Sequence, residues 1–328
     1  MNSFGTKLRV SIFGESHGEM IGVVLDGVPA GMPLAEGDFL PDLARRRSGA
    51  RGTTTRHEQD TPRIVAGLHD GHTTGAPLAI VFTNSDTRSG DYASLVDHPR
   101  PSHADFVAGR KFGGMNDPRG GGHFSGRLTL TLVAAGVVAR RMLEGIEITS
   151  RIMSIGGCSD QAEFERIVEA AMAEGDSVGG VIECCAAGVP VGLGEPFFDS
   201  VESLASHLLF SIPAVRGVEF GNGFAAAALR GSQNNDLILD PSGRTATNNA
   251  GGVVGGITNG NPLVVRVAVK PTPSISRPQQ TLNLQSGKPE PLVIRGRHDA
   301  CIALRAPVVV ESALAIALAQ LIPTDGKI

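Results

Sequence analysis

Phe13-Gly14-Glu15-Ser16-His17-Gly18 places a histidine between a carboxylate and a glycine, just after the short apolar run Val10-Ser11-Ile12-Phe13. The glycines allow a tight turn and a close approach of backbone to ligand. A histidine held there can give or take a proton near neutral pH. Such a histidine is more often part of a hydrogen-bonded turn than of a reaction, so its weight comes from what accompanies it.

Five further stretches have compositions that can carry chemistry. Between residues 45 and 63, Arg45, Arg46, Arg47, Arg51, Arg56 and Arg63 are set against Glu58 and Asp60 in Gly/Thr-rich sequence. Guanidinium forks bind phosphate or carboxylate through paired bonds; the bland alternative is a solvated helix end. Asp117-Pro118-Arg119-Gly120-Gly121-Gly122-His123-Phe124-Ser125-Gly126-Arg127 runs into an apolar segment. A glycine-rich turn at a helix start is an anion site, and three glycines let a flat ring lie against the backbone. Neither a phosphate-loop nor a dinucleotide fingerprint fits it. The remaining three are Arg100-Pro101-Ser102-His103-Ala104-Asp105, Arg295-Gly296-Arg297-His298-Asp299-Ala300-Cys301, and Asn248 to Ile257 leading to Lys270-Pro271-Thr272-Pro273-Ser274. Each is equally compatible with ordinary turn and cap structure. His69/His72 and His98/His103 match no standard metal spacing and have no cysteine nearby, so no metal is expected.

Elements must hold these residues. Of 328 residues 41% are hydrophobic, only 4% are aromatic, none is Trp, and 43 are Gly, so the core is built from small aliphatic side chains in close backbone contact. Met20–Asp26, Pro77–Phe82, Ile146–Ile155, Gly180–Ala187, Val215–Ala228 and Leu263–Lys270 read as strands. Glu36–Arg47 and Asp105–Lys111 read as helix, and Asn84–Pro101 as a long polar loop. Leu128–Leu143, closed by Gly145, and Ala306–Ile322, with Glu311 as its one charge, are helices apolar nearly all round. Helices without a polar face are buried on every side, which predicts an inner helical layer covered by strands. Gly22-Val23-Val24-Leu25-Asp26-Gly27-Val28-Pro29-Ala30-Gly31 resembles Gly180-Val181-Ile182-Glu183 followed by Gly188-Val189-Pro190-Val191-Gly192, which points to an internal duplication. With no low-complexity linker, residues 1–328 are expected to form a single domain.

The net charge of −4 argues against nucleic acid as a partner. Cys158, Cys184, Cys185 and Cys301 show no C-x-x-C spacing, which fits reduced thiols in a cytoplasm. There is no signal-peptide pattern and no apolar run long enough to span a membrane.

Taken in order, Gly14-Glu15-Ser16-His17-Gly18, Arg45-Arg46-Arg47-Ser48-Gly49, Pro101-Ser102-His103-Ala104-Asp105, Arg119-Gly120-Gly121-Gly122, Gly251-Gly252-x-x-Gly255-Gly256, Lys270-Pro271-Thr272 and Gly296-Arg297-His298-Asp299 resemble the chorismate synthase family over nearly the whole chain. The resemblance implies an α+β fold, a β-α-β sandwich with a helical layer between antiparallel sheets, assembled as a homotetramer. It implies a lyase that eliminates phosphate from 5-enolpyruvylshikimate 3-phosphate to give chorismate in the shikimate pathway. The cofactor implied is reduced FMN, used without net redox, with NADPH as a reductant in some members of the family. It further implies His17 as the acid near the departing phosphate, His103 as the residue that protonates or polarises the reduced flavin, and Asp299 as the base. His123, Phe124, Ser125, Pro213, Ala214, Gly255, Lys270, Pro271, Thr272, Pro273, Ser274 and Arg297 match the flavin-contacting positions. Arg46 and Arg51, with Arg45 and Arg127, match the substrate and NADPH mouth. Two departures stand out: many members carry Arg-Ser-Ser-Ala-Arg where this chain has His123-Phe124-Ser125-Gly126-Arg127, and Pro213 replaces a common asparagine. The rivals are an NADPH-dependent flavin reductase and a flavin- or phosphate-binding module without turnover.

Overall fold

The computed structural model describes residues 1–87, 95–294 and 296–322. Arg295 and part of the expected loop between Asn84 and Pro101 therefore lie outside the described residues.

One antiparallel sheet is built from β1 (Ser3–Phe4), β2 (Arg9–Gly14), β3 (Met20–Asp26), β4 (Arg63–Ala66) and β7 (Leu78–Thr83), in the order β1-β2-β3-β7-β4. A small hairpin, β5 (Leu68–His69) and β6 (His72–Thr73), sits between β4 and β7 in sequence. A second antiparallel sheet holds β8 (Glu147–Ile155), β9 (Gly180–Ala187), β10 (Val215–Phe220) and β13 (Leu263–Val269), in the order β10-β13-β9-β8. It too has its hairpin, β11 (Val253–Val254) and β12 (Ile257–Thr258). A further hairpin pairs β14 (Gln279–Leu282) with β15 (Pro289–Leu292). The helices are α1 (Leu40–Arg46), α2 (Asp105–Lys111), α3 (Thr129–Arg141), α4 (Phe164–Ala173), α5 (Val201–Ser211), the single turn α6 (Gly231–Asn234) and α7 (Pro307–Leu321).

The expected sandwich is present. In α3 every residue from Thr129 to Ala139 is buried, and in α7 every residue from Val308 to Gln320. The two helices pack on each other; α3 also meets β3 and α7 meets β8 and β9, so the helical layer separates the sheets. The approach is close: a Cβ on Gly136 would overlap Ser312. Strand alternation supplies the facing surfaces, as in β13, where Leu263, Val265, Val267 and Val269 point to the core. Each such side chain contributes about 1.5–3 kcal/mol, and one continuous cluster includes residues of both sheets and the helical layer.

The duplicated turns correspond in detail. Gly27 and Gly188 follow β3 and β9 with φ of +88° and +77°, the left-handed region open to glycine. After each, Thr73 or Thr258 donates its hydroxyl to the proline carbonyl (Pro29, 2.5 Å; Pro190, 2.6 Å) and accepts the N–H of Met32 or Leu193 (3.0 and 2.9 Å). The sheet orders β2-β3-β7-β4 and β8-β9-β13-β10 correspond as well.

Three local expectations differ from the structure. The strand read over Val215–Ala228 stops at Phe220: Gly221 turns with φ +53°, Glu219 accepts the Phe224 N–H, and Gly223–Ala228 is 3-10 helix. Glu36–Arg47 divides into a 3-10 turn and α1, which carries a proline in its first turn. Helix α3 is capped at Met142; Gly145 instead makes the left-handed turn into β8.

Candidate active site

The first residues of α3 (Thr129, Leu132) and of α7's approach (Ala306, Val309) border one cavity of about 880 Å³. Helix starts favour anions through their free N–H groups and dipoles. Thirteen of the expected site residues line its wall: His17, His103, Asp299, His123, Phe124, Ser125, Pro213, Ala214, Lys270, Thr272, Pro273, Ser274 and Arg297. So do Arg46 and Arg127.

His17 sits in the β2–β3 turn and is buried. Arg56 braces that turn, donating to the Ser16 hydroxyl (2.8 Å) and carbonyl (2.9 Å). Asn84 braces it from the other side through the carbonyls of Glu15 and Gly18 (3.1 and 2.9 Å). Gly120, with φ +59°, lies so close that a Cβ there would collide with the His17 ring. Burial first, then the nearby Arg56 and Arg119 cations, hold the imidazole below its ordinary value. The neutral form of the ring is thereby favoured.

His103 donates from Nδ1 to Asp105 (2.6 Å), and its other edge lies against Gly121, where a Cβ would be 3.3 Å from Nε2. Lys270 donates to the Ser102 carbonyl at 2.6 Å. Burial, and next the Arg216 cation, pull the Lys270 ammonium down. Asp299 accepts the Thr54 N–H (2.9 Å) on Oδ1 and a paired contact from Arg305, Nε to Oδ1 at 3.0 Å and Nη2 to Oδ2 at 2.7 Å. Arg297 pairs with Asp86, whose Oδ1 it meets at 2.9 Å. The His123 ring nitrogen Nδ1 meets the Gly14 carbonyl at 2.8 Å, Phe124 lies beside Phe112, and the Ser125 hydroxyl caps the turn before α3.

Arg46 and Arg127 are buried and share Asp60, which Arg127 contacts directly and Arg46 meets at 3.6 Å. Burial, and next the Arg305 cation, bring the Arg46 guanidinium down to about 9, still a cation at neutral pH. Two guanidinium groups to one carboxylate leave a net positive wall. Arg127 Nη2 is buried with no hydrogen-bond partner among the described residues.

Four expected site residues are not brought to the cavity wall. Arg45 is taken by Glu311, the buried carboxylate of α7, through bonds of 2.8 and 2.5 Å, and Arg140 and Ser150 complete that carboxylate's shell. A buried carboxylate is expensive without partners, so Arg45 serves the core. Arg51 is exposed and pairs with Glu169 on α4. Pro271 is exposed and does not line the cavity, and Gly255 stands at the exposed tip of the β11–β12 hairpin. His69 is exposed beside Asp70, and His98 meets Glu290. Among the described residues no group of three or more His, Cys, Asp or Glu side chains is placed to hold a metal ion.

Sequence reasoning named Arg56 only within the basic stretch and passed over Asn84, Arg100, Asp105 and Arg305 as functional residues. Arg100 and Asp105 lay inside a motif already singled out for its histidine. Arg305 sits six residues after Asp299, a spacing with no signal until the chain folds back.

A helical layer whose two central helices begin at a cationic cavity, with histidines and a carboxylate on its wall, is the build of an enzyme that takes a small anionic substrate. The model of the chorismate synthase family matches residues 8–322, and the chain belongs to that family. It is 60% identical to a chorismate synthase of Chitinophaga pinensis over 98% of this chain and 96% of the relative. It is 44% identical to a chorismate synthase of Korarchaeum cryptofilum over 97% and 96%. A crystal structure of a chorismate synthase superposes with a TM-score of 0.75 at 30% identity, covering 97% of this chain and 92% of that one. The chain is thus an enzyme of chorismate formation in the shikimate pathway. No helix among the described residues is long and apolar enough to cross a membrane.

Proposed function

We propose that the chain eliminates phosphate from 5-enolpyruvylshikimate 3-phosphate in the cavity at the N-terminal ends of α3 and α7, with reduced FMN as a cofactor that is not consumed. The observation that carries this reading is the meeting of His17, His103 and Asp299 on one cationic wall; a module that only bound flavin would not need all three.

The residues present fit the flavin. The volume of about 880 Å³ is at the upper end for small-molecule sites and leaves room for more than one ligand. The Gly120–Gly122 turn presents bare backbone beside His17 and His103. The Thr272 hydroxyl is buried without a hydrogen-bond partner among the described residues, and Lys270 and Arg216 add cations suited to a terminal phosphate. Reduced FMN, when bound, supplies electron density for the breaking C–O bond. Arg46 and Arg127 hold the substrate's anionic groups. A phosphate beside His17 favours its imidazolium, which then gives its proton to the departing oxygen. His103 presents Nε2, and Asp299, held by Arg305 and Thr54, is the carboxylate placed to take up a proton.

The core cluster that includes residues from both sheets supports reading residues 1–328 as one domain. Phe197, Phe198 and Phe224 are 85%, 90% and 86% exposed on the second half, which supports a homotetramer that covers them. Light scattering should give four copies at micromolar concentration, and a stable monomer would overturn that assembly.

The functional test counts products under anaerobic conditions with photoreduced FMN and no other reductant. Many chorismate and phosphate molecules per flavin are expected. One product per flavin oxidised would mean net redox chemistry and would favour the reductase reading.

A further inference from the structure

Asp105 opens α2, and its carboxylate accepts four hydrogen bonds from two residues. Oδ2 takes the Arg100 backbone N–H (3.0 Å) and Nε (2.8 Å); Oδ1 takes Arg100 Nη2 (2.8 Å) and His103 Nδ1 (2.6 Å). Arg100 is 4% exposed, and its remaining fork nitrogen, Nη1, donates to the Ser274 hydroxyl at 3.0 Å. Its guanidinium is thus committed to holding the carboxylate against a residue of the Lys270–Ser274 segment. A structural ion pair accounts for the three bonds to Arg100. It does not account for the short fourth bond to a histidine that lines the cavity.

An ionised carboxylate only accepts, so His103 must donate from Nδ1. A neutral imidazole carries one proton, which leaves Nε2 as an acceptor at the ring edge lying against Gly121. The backbone is fixed to match: Ser102 takes a left-handed φ of +58°, and Lys270 holds its carbonyl.

We propose that Asp105 is a positioning residue for His103. Locked by Arg100, it takes the Nδ1 proton so that the ring meets its ligand through Nε2, and it neutralises the imidazolium whenever Nε2 is protonated. This rests on the reading that His103 attends the cofactor, but the tautomer can be measured without the reaction.

Asp105→Asn keeps the shape. The amide oxygen is drawn to the position where two Arg100 donors converge, which turns the amide NH₂ toward Nδ1. That nitrogen must then accept, and the proton moves to Nε2. Long-range ¹⁵N–¹H NMR of the flavin-free protein with labelled histidine should show native His103 in the Nδ1–H form and the variant in the Nε2–H form. Turnover number should fall by about a hundred- to ten-thousand-fold. Substrate affinity of the flavin-free protein, by calorimetry, should change by less than about threefold. Asp105→Glu, which restores the carboxylate, should recover at least about tenfold in turnover over Asp105→Asn.

A native Nε2–H tautomer overturns the proposal, as does a reversed tautomer with near-native turnover, or a loss confined to KM. If Asp105→Asn does not fold, the native spectrum and the Asp105→Glu kinetics decide in the same way. The expected tautomers in a protein that forms no chorismate would support the Asp105–His103 pair and overturn the functional reading instead.

Discussion

The two halves of the molecule share a scaffold and differ in their connections. Strands β2, β3, β7 and β4 correspond to β8, β9, β13 and β10, with the same order and antiparallel pairing. The hairpins β5–β6 and β11–β12 correspond down to the threonine that clamps each Gly-Val-Pro turn. Between β2 and β3, however, lie only residues 15–19, with His17 among them, whereas residues 156–179 between β8 and β9 contain α4. Before α3 the chain makes the Gly120–Gly122 cradle; before α7 it brings Arg297, Asp299 and Arg305. One half supplies the short histidine turn and the bare backbone, the other the carboxylate and its arginine. The comparison teaches that the repeated strands and central helices form the frame, and that the two halves differ in the connections between them, which carry most of the proposed site residues and less of the core.

The comparison breaks most sharply at His17, which has no counterpart in the second half. His17→Ala should lower turnover by about a hundred- to ten-thousand-fold, as expected for a lost general acid, with substrate binding largely kept. Because the neutral form of the native ring is favoured, binding the phosphate substrate at neutral pH should draw a proton from buffer. Calorimetry in buffers of different ionisation enthalpy should detect that uptake in the native protein and not in His17→Ala. Near-native turnover would remove His17 from the chemistry.

The two glycine-rich turns offer a second contrast. Gly120 and Gly255 both have left-handed φ, +59° and +66°, but a Cβ on Gly120 would meet His17 while one on Gly255 meets nothing within 4 Å. Gly120→Ala should therefore lower turnover by at least about tenfold. Gly255→Ala should cost only about 1 kcal/mol of backbone strain and leave turnover near native. Equal kinetic losses at the two positions would contradict the division between frame and site.

The smallest effect tests the equivalence itself. Thr73→Val and Thr258→Val each remove a buried hydroxyl that donates to a proline carbonyl and accepts a backbone N–H. Each should lower stability by about 1–3 kcal/mol, the two losses agreeing within about 1 kcal/mol, with activity unchanged. Denaturant titration of the pair checks this, and a loss in one half alone would show that the halves have ceased to be equivalent.

Much of this was legible without coordinates. The all-apolar stretches of α3 and α7 dictate helices buried on every side, because no orientation hides such a helix otherwise. The short, almost wholly apolar runs of β9 and β13, each with a single charge, read as strands, and the repeated Gly-Val-Pro turns disclose the duplication. The ordered motifs disclose the family. Helices α4 and α5 were passed over, although Ser200 gives α5 an N-cap of the expected kind.

Only the folded chain decides which arginine does what. Arg45 and Arg46 are neighbours in sequence, yet about 100° of helix rotation separates them. One falls to the buried Glu311, the other beside Asp60 and the cavity. In the same way Asp105 becomes the partner of His103, and Arg305 that of Asp299, through turns whose geometry rests on Ser102 and on the register of α7. Sequence patterns report where apolar surface must go, because burial depends on the composition of a whole face. They do not report the pairing of charges, which is settled atom by atom once the core has fixed where each backbone lies.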